Sequence, residues 1–196
     1  ARGAGLPATA LVTDMNQVLG RSAGNALELR DAIDFLTEPA TRDPRMLTLT
    51  LALGAELLVT GGLQSGPEPA RAALQQALDS GAATERFARM VSLLGGPVDV
   101  LHDAGLPAAP VQVAVPAPRR GRLLACDVRA LGLVVVALGG GRTRPGDRVD
   151  PRVGLSQLLP LGRAVNAGDT LCVVHAGSDA AAAAAAAGVQ DRKSVV

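Results

Sequence analysis

Apolar and polar positions change period several times along this chain, and the changes predict its elements. Ala8-Thr9-Ala10-Leu11-Val12-Thr13 is a short apolar and β-branched run that suits a buried strand of a parallel or mixed sheet, turning at Asp14-Met15-Asn16. From Gly24 the period becomes helical. Leu29, Ala32, Ile33 and Leu36 recur at three- and four-residue spacing; Asn25 is the expected N-cap, Glu28 its capping-box partner, and Pro39 the stop. A second helix is predicted over about 45–60, nearly apolar on most faces and therefore buried, and closed by Gly61-Gly62. Residues 67–79 and 84–94 read as amphipathic helices, each with a glycine just past its end.

The pattern shifts after Gly105. Leu106-Pro107-Ala108-Ala109-Pro110 and Pro116-Ala117-Pro118 are connectors, and the short runs at 111–115, 123–126, 157–159 and 171–175 predict strands. A domain boundary is placed near residue 107, with an α+β domain beyond it. Leu133-Val134-Val135-Val136 favours strand by local preference, within a segment, 129–138, that can also be read as a helix.

Composition narrows the function classes. The 196 residues are 48% apolar, enough to bury a core, and the net charge of +1 comes from scattered arginines apart from Arg119-Arg120 and the stretch 142–148. With no Trp or Tyr and only Phe35 and Phe87, base-stacking platforms are absent, and no nucleic-acid partner is expected. Apolar runs such as 47–59 are too short and interrupted to span a bilayer, so a cytoplasmic protein without membrane association is expected. Cys126 and Cys172 show no metal-ligand spacing and read as reduced thiols. The start lacks Met and reads as the interior of a domain. Lys193 is the single lysine, and with the alanine run before it this sets 190–196 apart as a non-native tail expected to take no part in the fold.

Several residues are candidates for chemistry. Gly139-Gly140-Gly141-Arg142 reads either as an anion cradle or as a helix stop and turn. His102-Asp103 is either a general-base pair or a chance adjacency, because neighbours in sequence rarely hold catalytic geometry. His175 closes an apolar strand and reads as a hydrogen-bonded structural imidazole. Asp14 follows a strand-like run, a place for a functional carboxylate at a sheet's carboxyl edge or for an Asx turn.

Thr13-Asp14-Met15-Asn16-Gln17-Val18-Leu19-Gly20-Arg21-Ser22-Ala23-Gly24-Asn25-Ala26-Leu27-Glu28 resembles a motif of the thymidine phosphorylase and pyrimidine nucleoside phosphorylase family. Three later stretches resemble it in the same order: D-V-R-A-L-G-L-V-V-V-A-L-G-G-G from Asp127, G-D-R-V-D-P-R-V-G from Gly146, and G-D-T-L-C-V-V-H-A ending at Ala176. The resemblance implies that 1–106 is the C-terminal part of an α/β glycosyl transferase domain, mainly helical here. It assigns 107–189 to an α+β C-terminal domain with a β-hammerhead-like element, and makes 129–138 a helix.

The resemblance further implies a site and a reaction. Family members hold a monovalent cation, usually potassium, near a hinge; by position its ligands are the carbonyls of Leu19 and Ser22 and the carboxylate of Asp31, where the family usually has Glu. One carboxylate with neutral carbonyls suits a singly charged ion better than calcium. The implied reaction is reversible phosphorolysis of thymidine to thymine and 2-deoxyribose 1-phosphate, with phosphate as co-substrate and no organic cofactor, by a homodimer. The family's Lys-His-Ser and Gly/Thr-rich phosphate elements and Arg-Ser-Lys base-binding set do not occur here, so no catalytic or substrate-binding residue is assigned, and the chain alone is expected to be inactive. A broader-specificity pyrimidine nucleoside phosphorylase stays open. So does a non-catalytic hammerhead module, since V-N-A-G-D-T-L from Val165 resembles a carrier-domain turn but lacks the lysine that would take a prosthetic group.

Overall fold

The computed structural model describes residues 2–102, 104–190 and 193–195. The chain divides into two compact units, one of residues 1–13 with 33–104 and one of 14–32 with 105–196, so the segment 14–32 packs with the C-terminal residues. The fold is mixed helix and sheet.

In the first unit, the C-terminal part of α1 (Asn25–Thr37) is followed by α2 (Pro44–Thr60), α3 (Pro67–Asp79) and α4 (Ala82–Leu93). Asp43 caps α2 by accepting from the Met46 N–H at 2.9 Å, with Pro44 at the first helical position, where its missing N–H costs nothing. Gly54 lets α2 approach α3, since a Cβ there would stand 2.7 Å from Leu74 Cδ1. Arg42 binds these helix ends together. Its side chain is only 4% exposed; Nε donates to the Phe35 carbonyl at 2.8 Å, Nη2 to the Leu78 carbonyl at 3.1 Å, and Nη1 meets Asp79 at 2.9 Å. Its guanidinium also lies 5.7 Å from the Phe35 ring centroid.

Two expectations fail here. Residues 8–13 form no strand, and Val12 is fully exposed: a β-branched run becomes a strand only where a neighbour takes its backbone hydrogen bonds, and none of the described strands lies beside it. Helix α2 is not buried all round. Ala55 is its one buried residue among those described, and Leu53 and Leu57 are exposed, because α3 covers only part of its apolar circumference.

The second unit holds two small antiparallel sheets. One has the order β1-β5-β3 (Val111–Pro116, Thr170–Ala176, Gly154–Ser156) and the other β4-β2-β6 (Ala164–Val165, Gly121–Cys126, Lys193–Val195). Helices α5 (Val128–Val135) and α6 (Asp179–Gln190) cover the first, burying Leu131, Val135, Ala182, Ala185 and Val189 with Val115, Leu155, Cys172 and Val174. The segment 129–138 is helical, α5 passing into a π turn (Val136–Gly140). Cys126 and Cys172 are not joined in a disulfide. No helix among the described residues is long and apolar enough to cross a membrane.

Two further corrections belong to this unit. The strand expected at 157–159 lies earlier, at Gly154–Ser156, because Gln157 takes φ +53° and ends it; Leu158 and Leu159 instead donate to the Arg21 and Leu171 carbonyls. The tail expected to stay outside the fold joins it. Lys193–Val195 pairs with β2 in the register Leu123↔Val195 and Cys126↔Lys193, Val195 is buried with Leu123, Val165 and Leu171, and Arg119 Nε donates to the Val195 carbonyl at 2.8 Å.

Candidate functional site

The loop from Asp14 to Gly24 is a built structure within the second unit. Asp14 Oδ1 accepts from the Asn16 N–H at 2.7 Å, the Asx turn that was one of its two readings. Gln17 Oε1 accepts from the Leu161 N–H at 2.9 Å, and the Arg21 carbonyl from Leu158 N–H at 2.9 Å. Ala23 and Leu155 exchange both backbone bonds, at 2.9 and 2.8 Å. Gly24 (φ +137°) lies against the strand so closely that a Cβ would stand 2.5 Å from the Val153 carbonyl oxygen. Any side chain there would force the loop off β3.

This anchoring starts α1. Glu28 Oε1 accepts from the Gly24 N–H at 3.0 Å while the Glu28 N–H donates to the Gly24 carbonyl at 2.8 Å, so the reciprocal cap closes on Gly24, one residue before the expected Asn25.

Leu19, Ser22 and Asp31 therefore occupy one unit, on a pinned loop and the helix it starts. Ser22 is buried, and Leu19 and Asp31 are half-buried. Among the described residues, neither carbonyl accepts a hydrogen bond and the Asp31 carboxylate has no hydrogen-bonding or ionic partner. Gly20 takes φ +76° between the two carbonyl-bearing residues, a turn that favours glycine. An oxygen-only set of one carboxylate and free carbonyls fits a hard monovalent cation. No group of three or more His, Cys, Asp or Glu side chains converges as a metal site among the described residues.

Of the other candidates, His175 and the glycine triplet have structural roles. His175 is buried, and its Nε2 lies 2.7 Å from Ser156 Oγ across the β3–β5 pairing. Burial, with the positive charge of Arg30 as the lesser cause, lowers its pKa below the ordinary 6.5. Ser156 was missed in the sequence, where a serine 19 residues from its partner leaves no spacing signal. The exposed His102 pairs through Nδ1 with Asp99 at 2.7 Å, three residues back in a turn; Asp103, its neighbour in the candidate pair, lies outside the described residues. The glycine triplet is a turn: Gly139 has φ +97°, and Gly140 and Gly141 lie so close to Val135 and Val136 that a Cβ would meet them at 2.8 and 2.7 Å.

Residues 123–194 match the family described as the pyrimidine nucleoside phosphorylase C-terminal domain. Over 183 residues, 92% of this chain, the sequence is 57% identical to the thymidine phosphorylase of Burkholderia cenocepacia. The chain belongs to the pyrimidine nucleoside phosphorylase family. Further thymidine phosphorylases are similar to it as well, that of Burkholderia lata at 53% identity over 99% of this chain and that of Mesorhizobium japonicum at 49% over 96%. The chain spans 42–44% of the length of these relatives and corresponds to their C-terminal part.

Proposed function

We propose that this chain serves as the C-terminal part of a thymidine phosphorylase, in the reversible phosphorolysis of thymidine to thymine and 2-deoxyribose 1-phosphate. The identity of 57% over 92% of the chain to a relative of that name carries the reading. Such a reaction needs phosphate and pyrimidine held by basic and hydroxyl groups that absorb charge as the glycosidic bond breaks. With Lys193 as its single lysine, the chain supplies none of the lysine roles, and by itself it should release no thymine from thymidine and phosphate above a heat-killed control. Joined in frame to the remaining part of the Burkholderia cenocepacia enzyme, it should restore phosphorolysis. A soluble, folded chimera without thymine release would defeat the reading.

Within that enzyme the loop 14–24 and Asp31 form the cation site, with potassium held by the Leu19 and Ser22 carbonyls and the Asp31 carboxylate. The unengaged carbonyls and the half-buried carboxylate support it. Asp31 is one methylene shorter than glutamate, so this carboxylate reaches less far, and a water bridge would complete the contact. The assembled enzyme acts as a cytoplasmic homodimer, and the turn from Val165 to Thr170 belongs to a β-hammerhead-like element, its Asp169 Oδ2 accepting from the Asn166 N–H at 2.7 Å.

A further inference from the structure

A cavity of about 330 Å³ lies at the β2–β4 pairing, lined by Arg120, Gly121, Arg122, Ala164, Val165 and Asn166. The antiparallel pairing Gly121↔Val165 and Arg122↔Ala164 fixes its walls, and Val165, buried in the second core cluster, anchors one of them. None of these residues takes part in the proposed cation site.

Two of the six lining residues are arginines. Arg122 Nη1 donates to the Gly162 carbonyl at 2.5 Å, which holds the guanidinium in place and leaves its other N–H groups available. Arg120 is exposed and engages no partner among the described residues. Between residues 105 and 178 the acidic side chains are Asp127, Asp147, Asp150 and Asp169. Asp127 caps α5, Asp147 accepts from Thr143 and Arg144, and Asp150 pairs with Arg152. Among the described residues Asp169 is tied to the cavity, its Oδ2 accepting from the Asn166 N–H at 2.7 Å and from Asn166 Nδ2 at 3.5 Å, which leaves its other oxygen out of both bonds. Two guanidinium groups flanking one glycine, with an amide opposite, present planar donor forks suited to a dianion with several acceptor oxygens.

We propose that this cavity binds a phosphate dianion, free or as a monoester, at a place separate from the cation loop. Because both arginines are exposed, binding weakens as ionic strength rises.

Titration of the chain with inorganic phosphate and with ribose 5-phosphate, followed by phosphorus NMR in a phosphate-free buffer at constant ionic strength, tests this. Saturable binding is expected, weakened at least tenfold in Arg120→Gln/Arg122→Gln and unchanged in Arg86→Gln/Arg89→Gln, which removes two exposed arginines of α4. Tighter binding of ribose 5-phosphate would mark an ester as the ligand, and tighter binding of inorganic phosphate the free ion; both support the site. If the double variant does not fold, Arg120→Gln alone, whose side chain has no described partner, should still weaken binding at least threefold. Non-saturable binding to the unsubstituted chain, undiminished binding in the Arg120 variants, or an equal loss in the α4 control overturns the proposal.

Discussion

His175 and Arg42 show how two polar side chains are accommodated away from solvent by opposite means. His175 stays neutral: burial and Arg30 lower its pKa below 6.5, and Ser156 supplies a hydrogen bond that needs no charge. In the unfolded chain the imidazole titrates near 6.5, so as pH falls through that value the unfolded state takes up a proton that the native state refuses. Stability should therefore decline as pH falls from about 6.5 toward the lowered native pKa. Urea unfolding at pH 7.5 and 5.5 should show that decline, and His175→Gln, which keeps a polar partner for Ser156 without the titration, should flatten it; an equal decline in the variant would place the dependence elsewhere. Arg42 stays charged and spreads its donors over two carbonyls and a carboxylate. Arg42→Lys keeps the charge but cannot reach all three with one ammonium, and should destabilise the first unit by about 1–3 kcal/mol in denaturant unfolding, the range for a lost hydrogen bond to a charged group.

At the level of elements, the sequence was legible where local signals agree. Residues 67–79 have proline at the start, a helical apolar period and glycine after the end, and α3 has those bounds. Segment 129–138 was not legible locally: Leu133 to Val136 prefer strand, and the helix forms because Asp127 caps it and Leu131 and Val135 bury one face against the sheet. The candidate site was legible as a motif, yet its anchoring depends on pairings with residues more than 130 positions away, and no local rule encodes these. The alanine run likewise carries no amphipathic pattern, but small side chains let α6 lie close, and a Cβ on Gly188 would come within 3.3 Å of Val134 Cγ2. β6 is the clearest case. Val195 looks like tail residue by composition, but β2 offers it an edge and a cluster of apolar partners. Val195→Ala removes two buried methyl-sized groups and should cost about 1–3 kcal/mol. Removal of 193–195 should lower the thermal midpoint more, and an unchanged midpoint would show that β6 contributes nothing to stability.

At the scale of the whole molecule, a cation held by the loop and α1 would couple ion binding to the stability of everything pinned to that loop. Gln17, Arg21 and Ala23 tie it to Leu161, Leu158 and Leu155, so unfolding the second unit must release the ion. An ion that binds only the native state adds RT ln(1 + [L]/Kd), about 2.7 kcal/mol at a hundredfold excess over Kd. Potassium should accordingly raise the thermal midpoint in a saturable way, beyond the response to an equal concentration of a bulky organic cation that cannot enter the loop. Asp31→Asn should abolish most of the increment, since it removes the site's single formal negative charge while keeping its size. Asp31→Glu restores the longer reach and should preserve or strengthen it. Because Asp31 has no partner among the described residues, the Asn variant should match the unsubstituted chain without potassium, which separates loss of the ion from loss of a structural contact. Equal potassium responses in the unsubstituted chain and Asp31→Asn would show that the carboxylate is a helix-surface group, and Leu19 and Ser22 would lose their assignment with it.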